Sequence, residues 1–348
     1  MKKVNKSKIR IGTRESALAL WQAQLVSNQL NEAGYATELV LIKSEGDIDL
    51  RTPLYEMGVQ GIFTKTLDVA LLANKVDIAV HSLKDVPIQP AKGLRQAAVL
   101  KRDSYKDILV FKGEPHFLFD DVAAVIATSS IRRKAQWLNR FPNHHIENLR
   151  GNVNTRLQKL SENAWNGAIF AAAGLERLDI RPQNSLDLDW MLPAPAQGAI
   201  GVYCRSADEH LMKICHNIND APTALCTHIE RMFLKTLMGG CSAPIAALAT
   251  LDADIVTFKG CVLSSDGVEK MSIEQYSALP QALSLGQKCA HQLLENGADR
   301  LIQMHKDNVA KIKKEQALPC LLKHNALYSF TDAWFEKNLN QFKNPIYQ

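Results

Sequence analysis

The chain has 348 residues, of which 46% are hydrophobic and 22% charged, a balance typical of a soluble globular protein with two or three domains. The formal charge of +5 is modest, and no basic run or basic–aromatic alternation indicates a nucleic-acid-binding protein. The longest apolar runs are too short to span a bilayer and no export signal is recognisable, so we expect a cytoplasmic protein.

The first 200 or so residues alternate between strand-like and helix-like patterns. Strands are predicted at 8–12, 37–42, 77–80, 107–111, 122–127, 145–149 and 168–172. Helices are predicted at 16–31, with Ser16 as the N-cap, and at 63–73, 131–140 and 153–162. This order predicts a largely parallel sheet with helices on both faces, divided into two lobes.

The second part of the chain has a different organisation. Three prolines between 180 and 198 are typical of a connection between lobes, and a strand is predicted after them at 199–204. A helix at 223–237, strands at 245–251, 255–263 and 270–276, and a helix at 281–295 follow. This arrangement predicts a small α+β domain with an antiparallel sheet, whereas the tail from 307 to 348 has no readable role.

A polar turn, His81-Ser82-Leu83-Lys84-Asp85-Val86-Pro87, directly follows the apolar strand at 77–80. Ligands of parallel α/β sheets bind at the carboxyl ends of strands, so this turn is placed to face a cleft. Pro87 disfavours helical geometry at Val86. Lys84 could neutralise an anionic ligand and Asp85 could hold or deliver a proton, although a solvated Lys-Asp pair explains the pattern equally well.

Arginines occur where predicted strands lead into helices. The segments 128–133 (TSSIRR) and 149–156 (LRGNVNTR) each follow an apolar strand, and Arg14 stands after the first strand in 12–16 (GTRES). Free backbone N–H groups at a helix start favour an anion, and guanidinium groups bind carboxylates in a bidentate manner. One such arginine is usually an exposed surface residue, but three junctions of the same design predict an anion-lined cleft.

The seven cysteines are odd in number, form no CxxC pair and do not combine with histidines at zinc-site spacing, so no metal site is predicted. Most are expected to be small buried hydrophobes in a reducing compartment. Cys241 differs, because Gly239 and Gly240 permit a tight turn that exposes its thiol. It is a reasonable covalent attachment point, although a buried structural cysteine is commoner in loops.

Taken together, these segments resemble the porphobilinogen deaminase family over about residues 9–300. The matching pieces occur in the family's order: IRIGTRESALALWQA, DIAVHSLKDVP, ATSSIRRKAQ, LRGNVNTRLQKL, AAAGLERL, PAPAQGAIGVYCR and GGCSAPIAALA. The resemblance implies an α/β fold of two lobes like type 2 periplasmic binding proteins, with the active site between them, plus a small α+β C-terminal domain with an antiparallel sheet. The predicted limits are 1–105 with 200–221 for domain 1, 106–199 for domain 2, 222–306 for domain 3 and 307–348 for a C-terminal extension.

The resemblance also implies the chemistry of a transferase. Four porphobilinogens would be added in sequence, with loss of ammonia, to a dipyrromethane cofactor held by a thioether to Cys241, and water would release hydroxymethylbilane. Each pyrrole carries an acetate and a propionate, which an arginine-lined cleft would bind. The enzyme is expected to be a monomer that uses porphobilinogen and binds neither nucleic acid nor membrane.

The motifs also assign residue roles by resemblance. Asp85 would be the catalytic carboxylate. The cofactor would be bound by Cys241, Lys84, Asp85, Thr128, Ser130, Arg132, Arg133 and Arg156. The substrate would be bordered by Arg14, Ser16, Arg150, Arg156, Gln197 and Arg177.

A mobile lid over the cleft is expected at 44–62, a segment that contains Gly46, Gly58 and Gly61. The sequence departs here from the commoner family pattern, because Gln60 stands where many members carry lysine and Thr66 where glutamate is usual. The charged contacts of the lid are therefore left open by the sequence.

Two other classes of function remain as alternatives. A non-catalytic binding protein could use the same two-lobed fold to capture a small dicarboxylate or oxyanion, since fold alone does not separate the two. The lack of an export signal and the presence of Cys241 argue against it. An RNA-binding protein would explain the positive charge, but it needs stacking aromatics along an open arginine stripe, and only 7% of the residues are aromatic.

Overall fold

The computed structural model describes residues 8–43, 64–119, 122–238 and 243–311. The chain divides into two compact units, Met1–Gln303 and Met304–Gln348. The described part of the second unit, 304–311, is helical, and all elements below belong to the first. The lid expected at 44–62, including Gln60, and the proposed attachment residue Cys241 lie outside the described residues.

The first lobe is built on a five-stranded sheet with the order β2-β1-β3-β10-β4. Its strands are β1 (Ile9–Thr13), β2 (Thr37–Leu41), β3 (Ile78–Ser82), β4 (Leu94–Val99) and β10 (Ile200–Arg205). Its helices are α1 (Ala17–Glu32) and α6 (Glu209–His216), which pack on one face, and α2 (Lys65–Leu72), which packs on the other. Ser16 caps α1, as predicted, by accepting a hydrogen bond from the Ala19 N–H at 3.4 Å.

The second lobe repeats this plan, with the order β7-β6-β8-β5-β9. Its strands are β5 (Asp107–Phe111), β6 (Val125–Ala127), β7 (His145–Glu147), β8 (Gly167–Ala171) and β9 (Ser185–Asp187). Its helices are α3 (Ile131–Arg140), whose Trp137 is buried against one face, and α4 (Val153–Glu162) and α5 (Ala172–Glu176), which pack on the other.

Both sheets are mixed, because one reversed strand lies within each of the largely parallel sheets that the sequence predicts. In each lobe four of the five strands run in one direction and one is reversed: β10 runs antiparallel to its neighbours β3 and β4, and β5 runs antiparallel to its neighbours β8 and β9. These antiparallel strands are the ones that receive the chain from the other lobe, through a first crossing (100–106) and a second crossing (188–199). A chain that arrives from the cleft side must start its strand beside the carboxyl ends of the parallel strands. Two such lobes form a type 2 periplasmic-binding-protein-like fold, as predicted.

The third domain packs two helices against an antiparallel sheet, as predicted. Its elements are α7 (Ala221–Met238), β11 (Ile245–Asp252), β12 (Ile255–Leu263), β13 (Lys270–Ala278) and α8 (Leu285–Glu295), with the strand order β11-β12-β13. Phe233 and Phe258 meet in its core with ring centroids 5.0 Å apart. Gly286 lets α8 approach α7, because a Cβ there would lie 2.0 Å from the Ile229 carbonyl oxygen. Among the described helices, none is long and apolar enough to cross a membrane.

A buried ion pair joins the three domains. Glu230 of α7 is fully buried and accepts from Arg102 Nη1 at 2.6 Å and Nη2 at 3.1 Å in the first crossing. The same carboxylate accepts from the Ala196 N–H at 2.6 Å in the second crossing and from the Ala249 N–H at 2.8 Å in β11. One side chain of domain 3 therefore holds both connections between the lobes.

Candidate active site

The Lys84–Asp85 turn, residues 83–87, begins where β3 ends. Leu83–Asp85 form a single 3-10 turn, and Val86 is extended at φ −81° and ψ 129°, as Pro87 predicts. Leu83 and Val86 are buried in the core of the first lobe, whereas Asp85 is exposed. The apolar residues thus anchor the turn while it presents the carboxylate at the edge of the sheet.

Asp107, the first residue of β5, binds both arginines of the TSSIRR junction. Its Oδ2 accepts from Arg132 Nη1 at 2.7 Å, and its Oδ1 accepts from Arg133 Nε at 3.0 Å and Nη2 at 2.7 Å. Burial alone would raise the pKa of this fully buried carboxyl, but the charges of Arg132 and Arg133 outweigh it and hold the pKa well below its usual value. Asp107 is therefore an anion at any physiological pH and fixes both guanidinium groups.

Gln197 connects this ion cluster to the Lys84–Asp85 turn. Its Nε2 donates to Asp107 Oδ1 at 2.9 Å and to the Tyr105 carbonyl at 2.8 Å, while its Oε1 accepts from Lys84 Nζ at 3.2 Å. Because Gln197 lies in the second crossing, the connection between the lobes runs through that crossing. The resemblance predicts that Gln197 borders the substrate; in the structure its amide group is hydrogen-bonded to Lys84 and to Asp107.

Positive charge accumulates around the turn. Burial lowers the pKa of Lys84 to about 8; Asp85 acts in the opposite direction and Arg133 in the same one. Burial, together with Arg133 and Arg150, lowers the pKa of Arg156 to about 10. The electrostatic neighbourhood holds five cations, Lys84, Arg132, Arg133, Arg150 and Arg156, against the two carboxylates Asp85 and Asp107. An anion bound here would relieve this repulsion, so the site is chemically an anion site.

Local backbone geometry sets the two helix starts that contribute these arginines. Ser130 caps α3 by accepting from the Arg133 N–H at 3.5 Å, and Asn152 caps α4 by accepting from the Thr155 N–H at 2.9 Å. Gly151 has φ +120°, and a Cβ there would lie 2.7 Å from Thr155 Cγ2, so the turn before α4 requires glycine. The Gly151 carbonyl in turn accepts from Arg156 Nε at 2.7 Å and orients that arginine.

Comparison with known proteins identifies the family of this chain. Residues 9–213 match the family model described as "Porphobilinogen deaminase, dipyromethane cofactor binding domain", and residues 224–295 match the model of the C-terminal domain. A porphobilinogen deaminase of Syntrophotalea carbinolica is 40% identical over 303 residues, which cover 86% of this chain and 96% of the relative. The chain belongs to the porphobilinogen deaminase family.

The solved structures that align with this porphobilinogen deaminase family member include proteins of low sequence identity. The methionine binding protein MetQ aligns with a TM-score of 0.40 at 11% identity, over 62% of this chain and 92% of MetQ. The periplasmic VFT2 domain of Bordetella pertussis BvgS aligns with a TM-score of 0.38 at 11% identity, over 60% of this chain and 86% of that domain. Since both TM-scores are below 0.5, the fold assignment rests on the strand order and not on these alignments.

The residues of the site fit the dipyrromethane cofactor of the porphobilinogen deaminase family. A dipyrromethane built from porphobilinogen carries the acetate and propionate groups of its pyrroles, and the five-cation cluster supplies the matching charge. Arg132 Nε is buried without a hydrogen-bond partner in the part of the chain that the structure describes, so it retains a donor. Within the same described ranges, no three His, Cys, Asp or Glu side chains lie together as a metal site would need.

The remaining predicted site residues have their own local contacts. Burial, and to a smaller extent the positive charge of nearby Arg14, lowers the pKa of His81 to about 3. His81 is therefore neutral at physiological pH. Ser16 caps α1. Arg177 donates to Asp103 Oδ2 at 2.8 Å and to the Gly198 carbonyl at 2.7 Å, so its described polar contacts are with the two crossings. Thr128 is buried, and its Oγ1 accepts from the Ser130 N–H at 3.2 Å.

Sequence reasoning missed three charged residues: Asp107, which holds Arg132 and Arg133, Glu230, which binds both crossings, and Arg231, which donates to main-chain carbonyls of the Lys84–Asp85 turn. Asp107 carries a weak signal, since it opens the apolar strand β5 and a buried carboxylate needs a cationic partner. Glu230 and Arg231 sit in a long helix among other charged residues, and no local pattern distinguishes them. Of the two lid departures, Thr66 alone is described: it lies in α2, and its Oγ1 is buried without a hydrogen-bond partner among the described residues.

Proposed function

We propose that this chain condenses four porphobilinogen molecules in sequence, with loss of ammonia, on a covalently bound dipyrromethane, and that water then releases hydroxymethylbilane. The observation that carries this proposal is the exposed carboxylate of Asp85. The residue before it in the same turn, Lys84, belongs to a cluster of five cations. The substrate and the growing product are polycarboxylates, which such a cluster binds. The chemistry also requires a carboxylate beside the reacting pyrroles.

We assign binding roles by combining the motif positions with this geometry. Lys84, Thr128, Ser130, Arg132, Arg133 and Arg156 hold the carboxylates of the cofactor. Arg14, Ser16, Arg150, Arg156, Gln197 and Arg177 border the incoming porphobilinogen. When bound, the cofactor supplies the pyrrole to which the first substrate is joined. Asp107 holds the guanidinium groups of Arg132 and Arg133 in place through its three hydrogen bonds with them.

Asp85 acts on the proton transfers of each condensation. Loss of ammonia from porphobilinogen leaves an electron-poor methylene-pyrrolenine, and joining two pyrroles then requires that a ring carbon lose its proton. An ionised carboxylate stabilises the cationic forms through their N–H groups and accepts or relays that proton. The Asp85 carboxylate is exposed and so can reach the bound pyrroles. Leu83 and Val86 anchor the turn in the core and so keep the carboxylate oriented.

Cys241 is proposed to carry the cofactor through a thioether, since it follows α7 and is the third residue of the GGCSAPIAALA motif. Intact-mass measurement of the purified chain should show an excess equal to two condensed pyrroles, and the Cys241→Ser variant should show the bare polypeptide mass. A bare wild-type mass that does not rise after incubation with porphobilinogen would instead support the binding-protein alternative.

The capture of porphobilinogen by the cofactor-free chain is predicted to depend on pH through Lys84. The pKa of Lys84 is lowered to about 8, so the ammonium is present below that pH and is lost as the pH rises through it. We expect the rate of mass increase with porphobilinogen to decline between about pH 7 and about pH 9, centred on that pKa. Lys84→Arg, which stays protonated over this range, should not show the decline, and a flat wild-type profile would contradict the assignment.

The proposal also covers the domain limits, the oligomeric state and the location of the enzyme. We propose the domain limits 1–105 with 200–221, 106–199 and 222–306, with 307–348 as an extension, because the sheets and crossings follow this division. We also propose a monomeric enzyme that acts in the cytoplasm on porphobilinogen and needs neither nucleic acid nor a membrane.

A further inference from the structure

An arginine of domain 3 holds the main chain of the Lys84–Asp85 turn. Arg231 Nη1 donates to the Leu83 carbonyl at 3.2 Å and to the Val86 carbonyl at 2.9 Å, and its Nη2 donates to the Pro87 carbonyl at 2.7 Å. One guanidinium group thus binds three carbonyls of a five-residue turn that belongs to the first lobe.

The turn has few other main-chain contacts. The Leu83 N–H donates to the Ala199 carbonyl at 3.0 Å, and the Val86 N–H donates to the Leu83 carbonyl at 3.3 Å. In the described part of the chain, the Val86 and Pro87 carbonyls accept from no side chain other than Arg231. Since Pro87 has no N–H to donate, Arg231 supplies most of the polar restraint on the exit of the turn.

The position of Arg231 in α7 joins two functions in one helix. Its neighbour Glu230 binds Arg102 and the Ala196 N–H in the two crossings, and α7 ends at Met238, three positions before Cys241 in the sequence. Helix α7, which leads to the proposed attachment residue Cys241, therefore also carries the arginine that is hydrogen-bonded to the turn of Asp85.

We infer that Arg231 is a positioning residue, which sets the Asp85 carboxylate relative to the cofactor by fixing the 83–87 main chain from domain 3. This inference rests on the proposed function. The planar guanidinium suits several carbonyls at once, whereas a lysine ammonium is a point charge that cannot reproduce the fork. Loss of Arg231 leaves the cation cluster intact, so substrate binding is retained while the carboxylate is displaced from its productive position.

The test compares Arg231→Ala and Arg231→Lys with Arg205→Ala. Arg205 is a matched control, because its Nη1 also binds two main-chain carbonyls of the first lobe, those of Leu71 at 3.0 Å and Val76 at 2.7 Å, away from the turn. For each variant we would measure intact mass for cofactor content, kcat and KM for porphobilinogen, and hydrogen–deuterium exchange of peptides covering residues 82–88.

For Arg231→Ala we expect faster exchange at 82–88 and a kcat about 100-fold lower, as a displacement of about 1 Å can produce, with KM within about threefold and cofactor present. Arg231→Lys should recover part of both effects, and Arg205→Ala should keep kcat within about twofold of wild type while it loosens its own segment. A kcat for the Arg231 variants equal to that of Arg205→Ala, or unchanged exchange at 82–88, would overturn the inference.

If Arg231→Ala fails to fold, Arg231→Lys alone decides on the same two readouts. A wild-type enzyme without turnover would refute the proposed function instead, and the exchange data would still report on the turn.

Discussion

Asp85→Asn is expected to reduce the turnover of porphobilinogen by about 10²- to 10⁴-fold, the range of a lost general acid–base group. The amide has nearly the shape of the carboxylate, but it can neither accept the proton nor stabilise a cationic pyrrole. Asp85 is exposed, and the turn is anchored by Leu83 and Val86 and by Arg231, so the folded structure should persist. KM should change little, since the five cations that bind carboxylates are untouched.

Steady-state kinetics of samples matched for cofactor content by intact mass will measure this effect. Asp189→Asn is a suitable control, because Asp189 is an exposed carboxylate that pairs with Lys106 at 2.7 Å and has no proposed role in the reaction. It should retain wild-type turnover. Near-normal turnover of Asp85→Asn would remove Asp85 from the mechanism.

Glu230→Gln is expected to lower the free energy of unfolding by about 3–5 kcal/mol, the range seen when one partner of a buried ion pair is removed. The substitution leaves the Arg102 guanidinium, which is itself largely buried, without its counter-charge. It also places a donor amide where the carboxylate accepts from the Ala196 and Ala249 N–H groups. Because these contacts join three domains, the lobes and domain 3 should lose stability together.

Urea titration followed by circular dichroism will compare the unfolding midpoints. Glu209→Gln is the matched control, since Glu209 pairs with Arg95 at 3.0 Å on the surface with 74% of its side chain exposed, and its midpoint should stay at the wild-type value. The double variant Arg102→Gln/Glu230→Gln should be less destabilised than the sum of its single variants, because the two residues interact directly. A wild-type midpoint for Glu230→Gln would show that the buried pair contributes no net stability.

Much of the local structure follows from the sequence. The helix starts at Ser16 and Ser130 and the extended Val86 before Pro87 were predictable, because caps and proline effects act within a few residues. Strands β4 and β9 were missed, and so was the reversed direction of one strand in each sheet. The direction of β5 and β10 depends on where the chain crosses between lobes, and no local pattern records that path.

The sequence by itself determined the family, the types of chemical groups in the cleft and the motifs that supply them, since these are read from residue identities along the chain. Only the tertiary structure decided which groups pair. Asp107 meets Arg132 and Arg133 from 25 and 26 positions away and Gln197 from 90, and Arg231 reaches Leu83 across 148 positions. Such partners are chosen by the folded path of the chain, because a buried charge or carbonyl is stabilised by whichever group the packing brings within hydrogen-bonding distance.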